Sequence, residues 1–192
     1  MRNIWISLRM SVVLMLICGL LYHLAVLGIA QAAMPEKANG SLVYNDKHEV
    51  VGSKLIGQSF ADQRYFQSRV SSIQYDAAAS GSPNYAPSNA ALLERTKQAV
   101  ESWKKNNPDV PVSQLPIDLI TNSGSGLDPE ISPEAAKAQV PRISQLTGIS
   151  ATDLERMIQK HTRDRELGFL GEPGVNVLLL NMDVQRSMSV GR

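Results

Sequence analysis

The sequence predicts an α+β protein: one N-terminal transmembrane helix followed by a single mixed extracytoplasmic domain. Three observations carry this. Residues 10–30 are apolar and uncharged, the segments behind them alternate between β-prone and helical periodicity, and no repeat or linker divides them. The 192 residues amount to one ordinary domain plus an appendage, and with aromatics at 5% the core must lean on Leu, Ile, Val and Ala. A net charge of +1 gives no reason to expect nucleic acid or an acidic substrate. The lone Cys18 excludes an internal disulfide and a cysteine-cluster metal site.

The first element is the membrane run. Residues 10–30 contain no Asp, Glu, Lys or Arg and are polar only at Ser11, Tyr22 and His23. At about 1.5 Å per residue the run crosses a ~30 Å hydrocarbon layer, and a backbone in lipid must satisfy its own hydrogen bonds as a helix. Arg2 and Arg9 precede it, while Glu36 and Lys37 behind it nearly cancel. The positive-inside rule therefore assigns 1–9 to the cytoplasm, 10–33 to the cell membrane and 34–192 to the outside. The rival reading is a signal peptide cleaved near Ala30-Gln31-Ala32, but signal cores are shorter, about 7–15 residues. Ser11, Cys18, Tyr22 and Ala25 share a stripe at helical spacing, opposite Leu16, Leu20, Leu24 and Leu27. Small and polar residues of this kind suit contact with a partner helix in lipid, with chance as the plain alternative. His23 is read as reaching interfacial water.

Next, residues 41–51 predict a hairpin turning at Asn45-Asp46-Lys47, and 55–60 a further short strand. Residues 69–88, rich in Ser, Ala, Pro, Gly and Asn, form a long loop that Tyr75 and Tyr85 help to order. Ser88 caps a helix whose inner face carries Leu92, Leu93, Thr96, Val100 and Trp103, and Asn106-Asn107-Pro108 stops it. Residues 115–121 read as a strand containing Asp118, and 122–129 as a Gly/Ser loop. Ser132 caps the next helix with Pro133 at its first position; Pro141 should kink or end it, and Gly148 supplies a stop. Ser150 and Asp153 open another helix with Leu154, Met157 and Ile158 inward. After the turn-rich 168–174, the apolar run 175–182 reads as a buried strand and 185–192 as a frayed tail.

Enzyme motifs fail one after another. Residues 52–59 have the spacing of a phosphate-binding loop, but Gln58 stands where the lysine is needed, so a glycine-bearing turn is the better reading. Ser102-Trp103-Lys104-Lys105 fits a Ser-x-x-Lys pattern without its companion motifs and reads as a solvated helix end. Ser125 lacks a nucleophile elbow. His23, His48 and His161 are too far apart in sequence for a metal set, and a helix-end dipole contact accounts for His161. No aspartate has the Asp-Lys-Thr-Gly-Thr context that P-type pumps phosphorylate, so the chain is read as non-catalytic, binding no cofactor of its own.

Several stretches resemble one family. They are 38–42, 52–60, Tyr65-Phe66 with Arg69, 75–82, 123–129, 131–133, Ala135-Ala136, 139–142, His161-Thr162, 167–173, 175–178 and Leu180-Asn181. In order and spacing they are similar to the KdpC family, one of the subunit types of the Kdp-type potassium-transporting P-type ATPase. Val70 stands where the family commonly has proline, and Pro83-Asn84 departs from its Gly-Gly-Ser-Asn run. The resemblance implies an accessory subunit of a high-affinity potassium uptake pump. Its partners would be a channel-like potassium-binding subunit, a P-type ATPase subunit and a small membrane peptide. Potassium is then the transported ion, and ATP enters through the complex. Members of this family are needed for assembly and are described as catalytic chaperones that raise ATP affinity, with Gln139 the nucleotide-affinity candidate. An outer domain does not meet cytoplasmic ATP, so coupling is expected to run through the membrane subunits. Ser123, Gly124, Ser125, Gly126 and Asp128 are contact candidates, because the glycines permit close backbone approach; a tight strand-to-helix connection is the alternative. Asp118 and Asp128 are possible cation attractors, with surface solvation the plainer role. The alternative class is a signal-anchored or secreted binding module or enzyme.

Overall fold

Helices α1 (Arg2–Leu16) and α2 (Tyr22–Ala33) run on through one wide π turn, Ile17–Leu21, in the computed structural model of the chain, which describes residues 2–190. Together they form a 32-residue helix long and apolar enough to cross a membrane, eight residues earlier in its start than the apolar run alone requires. At the π turn the His23 ring turns back on its own helix, Nδ1–H donating to the Cys18 carbonyl at 2.8 Å. A side-chain donor at a widened turn keeps a backbone acceptor satisfied where lipid supplies none. A short helix α3 (Pro35–Ala38) follows.

Chain contacts divide the protein between Val51 and Gly52 into two compact units. The first ends in the predicted hairpin, β1 (Leu42–Tyr44) paired with β2 (Val50–Ser53), the latter running past the boundary. Asn45 builds the turn: its side-chain oxygen accepts from the N–H groups of Lys47 and Glu49, both at 2.9 Å. Asx side chains favour turns because they can replace a backbone acceptor in this way.

The second unit mixes helix and sheet. Helix α4 (Ala90–Asn106) is capped by Asn89, not Ser88; the Asn89 side chain accepts from Ala91 N–H at 2.8 Å. Trp103 is its one buried residue, and Leu93 faces solvent. Helix α5 (Pro133–Thr147) starts on Ser132 and ends on Gly148 at φ 74°, as the caps predict. It continues past Pro141 without ending, because Pro141 and the carbonyl it leaves unpaired, that of Lys137, lie on the exposed face where water can serve. Helix α6 (Ala151–His161) opens on Ser150 and buries Leu154 and Ile158. A three-stranded antiparallel sheet in the order β3-β5-β4 joins Glu130–Ile131, Gly174–Asn176 and Thr162–Arg163.

Three predicted strands are corrected. Residues 55–60 form no strand: Gly57 N–H donates to Leu127 O at 2.8 Å in a loop contact, with no sheet edge beside it. Residues 115–121 make a single 3₁₀ turn, Ile117–Leu119, which starts after the extended Pro116 (φ −66°, ψ 141°), a residue that lacks the N–H a strand would use. The run 175–182 is strand only to Asn176. The Asn176 side chain then accepts from Leu179 N–H at 3.1 Å and starts α7 (Val177–Val190). The expected frayed tail is therefore helical as far as Val190; residues 191 and 192 lie outside the described residues. The core joins Ile131 and Val175 of the sheet to Ala135, Ala136, Val140 and Ile143 of α5, Leu154 and Ile158 of α6, Val177, Leu180 and Val184 of α7, and Phe66 from the loop.

Candidate functional site

Segment 63–67 has no strand partner, and side chains take that role. Asn181 of α7 holds both backbone groups of Phe66, accepting from its N–H at 2.8 Å and donating to its carbonyl at 2.9 Å. Gln139 of α5 treats Gln67 in the same way, accepting from its N–H at 2.8 Å and donating to its carbonyl at 3.3 Å. The Gln139 amide also donates to Ala135 O at 3.2 Å and accepts from Arg142 Nη2 at 2.8 Å. Its hydrogen-bonding capacity is thus filled, and the side chain is fully buried.

Arg142 lies in the same network. Its Nε donates to Asn107 Oδ1 at 2.9 Å, and Nη1 to the carbonyls of Gln63 and Tyr65. These acceptors are neutral. Burial pushes the guanidinium down to about 10, far enough above neutrality that it stays charged. Neither Arg142 nor Asn181 was singled out from sequence. The available signal was a large polar residue inside an apolar helical stripe, which α5 and α7 both carry.

A cavity of about 480 Å³ opens beside Gln139, Gln67, Tyr75, Ser102 and Trp103. None of the described residues lining it carries a charged side chain, so its wall offers amides and hydroxyls but no cation for a phosphate. Tyr75 donates to Arg69 O at 2.6 Å, and burial raises its phenol above the ordinary range, keeping it a donor.

The loop 122–129 is pinned from inside. Ser123 is buried and accepts from Gly126 N–H at 2.7 Å, and Ser125 Oγ accepts from Leu127 N–H at 3.1 Å. The Ser125 carbonyl takes Gly81 N–H at 2.9 Å, and Asp128 pairs with Arg69 at 2.9 Å. Gly126 adopts φ 75°, and a β-carbon there would sit 2.6 Å from Ile73 Cγ1. Gly124 and Ser125 alone of the named set are exposed. Asp118 accepts from Ser132 N–H at 2.8 Å, at the head of α5. In the long helix, Ser11, Cys18, Tyr22 and Ala25 are all exposed, but the π turn accommodates about one extra residue and so rotates Tyr22 and Ala25 by roughly 100° against Ser11. His161 bonds Asp183 at 2.8 Å, an interhelical contact beyond the expected dipole role. No group of three or more His, Cys, Asp or Glu able to hold a metal occurs among the described residues.

The chain thus combines one helix long and apolar enough to cross a membrane with a small domain of mixed helix and sheet, in which the buried Gln139, Arg142 and Asn181 are held by hydrogen bonds. The family model described as KdpC, K+-transporting ATPase, c chain, matches residues 4–186, and the chain belongs to that family. It is 58% identical over 181 residues, 94% of each chain, to the potassium-transporting ATPase KdpC subunit of Bacillus anthracis. The proteins of that name from Bacillus cereus strain AH820 and Bacillus thuringiensis subsp. konkukian are each 57% identical over 94% of both chains.

Proposed function

We propose that this chain is the accessory subunit that completes an ATP-driven potassium pump, holding it together from the outer side of the membrane. The observation that carries the reading is similarity along 94% of the chain to relatives named as the KdpC subunit of that ATPase. The long helix spans the cell membrane with Arg2 and Arg9 inside, and residues 34–192 lie outside. The helix docks against the channel-like potassium-binding subunit, and the domain caps the potassium entrance. The P-type ATPase subunit and the small membrane peptide complete the assembly.

The subunit raises the pump's affinity for ATP without touching it. A fully bonded Gln139 and a cavity wall without cations favour coupling through assembly: the subunit binds one pump state more tightly than another. Gln139 then acts by fixing segment 63–67 to α5. The exposed Gly124 and Ser125 remain a contact surface toward the partner subunits. The test is extraction of the tagged full-length chain in mild detergent. Co-recovery of a multi-span subunit and a P-type ATPase, with potassium-stimulated ATP hydrolysis, is the expected result. A chain recovered alone, from cells that express the other subunits, refutes the reading.

A further inference from the structure

Residues 162–173 leave α6, reverse direction, and return to β5 as a small hairpin with an uncovered tip. Glu166 N–H donates to Leu170 O and Leu170 N–H donates to Glu166 O, both at 2.9 Å, which closes the turn. Gly168 N–H adds a bond to Arg165 O and Phe169 N–H one to Glu166 O, each at 3.2 Å. On this frame Leu167 is 83% exposed, Phe169 69% and Leu170 49%.

Turn chemistry does not ask for these residues. Leu167 holds φ 54° and Gly168 82°. Two successive left-handed residues are met most easily by Asn-Gly, and a bulky side chain at the first of them is strained. The leucine therefore combines strain with exposure of apolar surface, both unfavourable for the chain alone. Such a tip is preorganised: its backbone is ordered before anything meets it, so little conformational entropy is lost on binding.

We propose that the Leu167–Gly168–Phe169–Leu170 tip is an anchor that seats in an apolar, uncharged pocket of another subunit of the pump. The inference rests on the pump-subunit reading above and names the docking element within it. Lipid is the weaker occupant. Residues 162–173 carry two arginines against three carboxylates and no Trp or Tyr, the residues that meet headgroups. Arg163 is paired with Glu130 at 3.0 Å and with Glu166 at 3.3 Å, and Arg165 with Glu172 at 2.6 Å. A second copy is also a weaker occupant. Three side chains of about 150–200 Å² each, exposed by 83%, 69% and 49%, offer roughly 300–400 Å² between them, well short of the ~800 Å² per partner of a stable dimer. A subunit whose membrane helix already docks against the pump needs no such area, because this second contact then forms at high effective concentration, whereas a second copy has no such first contact.

The experiment has two arms, both on the full-length chain expressed with the other pump subunits. In the first, Phe169 is replaced by the photo-crosslinker p-benzoylphenylalanine, and ultraviolet light is expected to join the chain to another pump subunit, identified by mass spectrometry. A product with a second copy, or with lipid alone, overturns the proposal. In the second arm, Leu167→Asn and Phe169→Ser are compared with the unsubstituted chain. The variants are expected to unfold at the same or a higher temperature as isolated chains, yet to recover about tenfold less of the pump subunits after washing. Recovery equal to the unsubstituted chain overturns the anchor alone. If the unsubstituted chain recovers no pump subunit, the pump-subunit reading falls, and the anchor with it.

Discussion

Replacing Gln139 separates a structural clamp from a nucleotide contact. Gln139→Leu keeps the volume and removes the amide. Gln67 then loses partners for both its N–H and its carbonyl, and Arg142 loses its Nη2 acceptor. The Ala135 carbonyl keeps its place in the helix ladder and is not orphaned. Three groups deprived of partners at about 1–3 kcal/mol each, less a partial gain from the apolar replacement, give a loss of about 3–5 kcal/mol. For a domain of this size that lowers the midpoint of thermal unfolding by about 10–15 °C. The assay is circular dichroism of the full-length chain in detergent, beside the ATP dependence of the assembled pump. Gln139→Glu preserves both acceptor bonds and places a carboxylate against Arg142, so it should lose clearly less stability than the leucine variant. A charge at a phosphate contact would instead abolish ATP affinity while leaving folding intact. If Gln139→Leu unfolds at the parent temperature and only the KM for ATP rises, the clamp argument is wrong.

Further outcomes are expected elsewhere. Gly126→Ala combines a left-handed φ of 75° with a contact 2.6 Å from Ile73 Cγ1, and should cost about 1–3 kcal/mol in thermal unfolding. Adding Ile73→Ala relieves the crowding but not the backbone strain, so the pair should recover part of that loss. Burial alone would raise the Asp183 carboxyl, but hydrogen bonds from Lys160 and His161 outweigh it and hold the group below the ordinary range. A carboxyl depressed in the folded state contributes stability above its unfolded pKa and loses it as pH falls through the folded value. With Lys160, His161 and Arg186 around it, Asp183 should make acid unfolding below about pH 4 steeper in the parent chain than in Asp183→Asn. An alkaline phosphatase fused after Arg192 should be active, since that enzyme folds only outside the cytoplasm; a fusion active solely as a cytosolic reporter would reverse the topology.

Local chemistry was legible wherever one residue decides a boundary. Ser132, Ser150 and Gly148 mark helix ends because a hydroxyl or a left-handed glycine satisfies end groups without outside help. Asn45 closes its hairpin for the same reason. The misread segments are those where local pattern is ambiguous. An apolar run of 175–182 suits a buried strand or a buried helix equally, and the cap at Asn176 was the one sign in favour of helix. Residues 55–60 are apolar enough for a strand, but a strand requires an edge to pair with, which no local pattern reveals, while in 115–121 Pro116 was the local sign against one.

Amino-acid order alone settles that residues 10–30 form an uncharged apolar run of membrane length, since length and hydropathy are sums over neighbours. It also settles the family, through short stretches kept in order along nearly the whole chain. The roles of Gln139, Asn181 and Arg142 emerge only on folding, because their partners outside their own helices lie 35 to 115 residues away in the chain, most of them in segment 63–67. Folding likewise turns the serines of 122–129 mostly to internal bonds, whereas the apolar Leu167 and Phe169 stand in solvent. Burial depends on what folds over a residue, and that is a property of the whole chain.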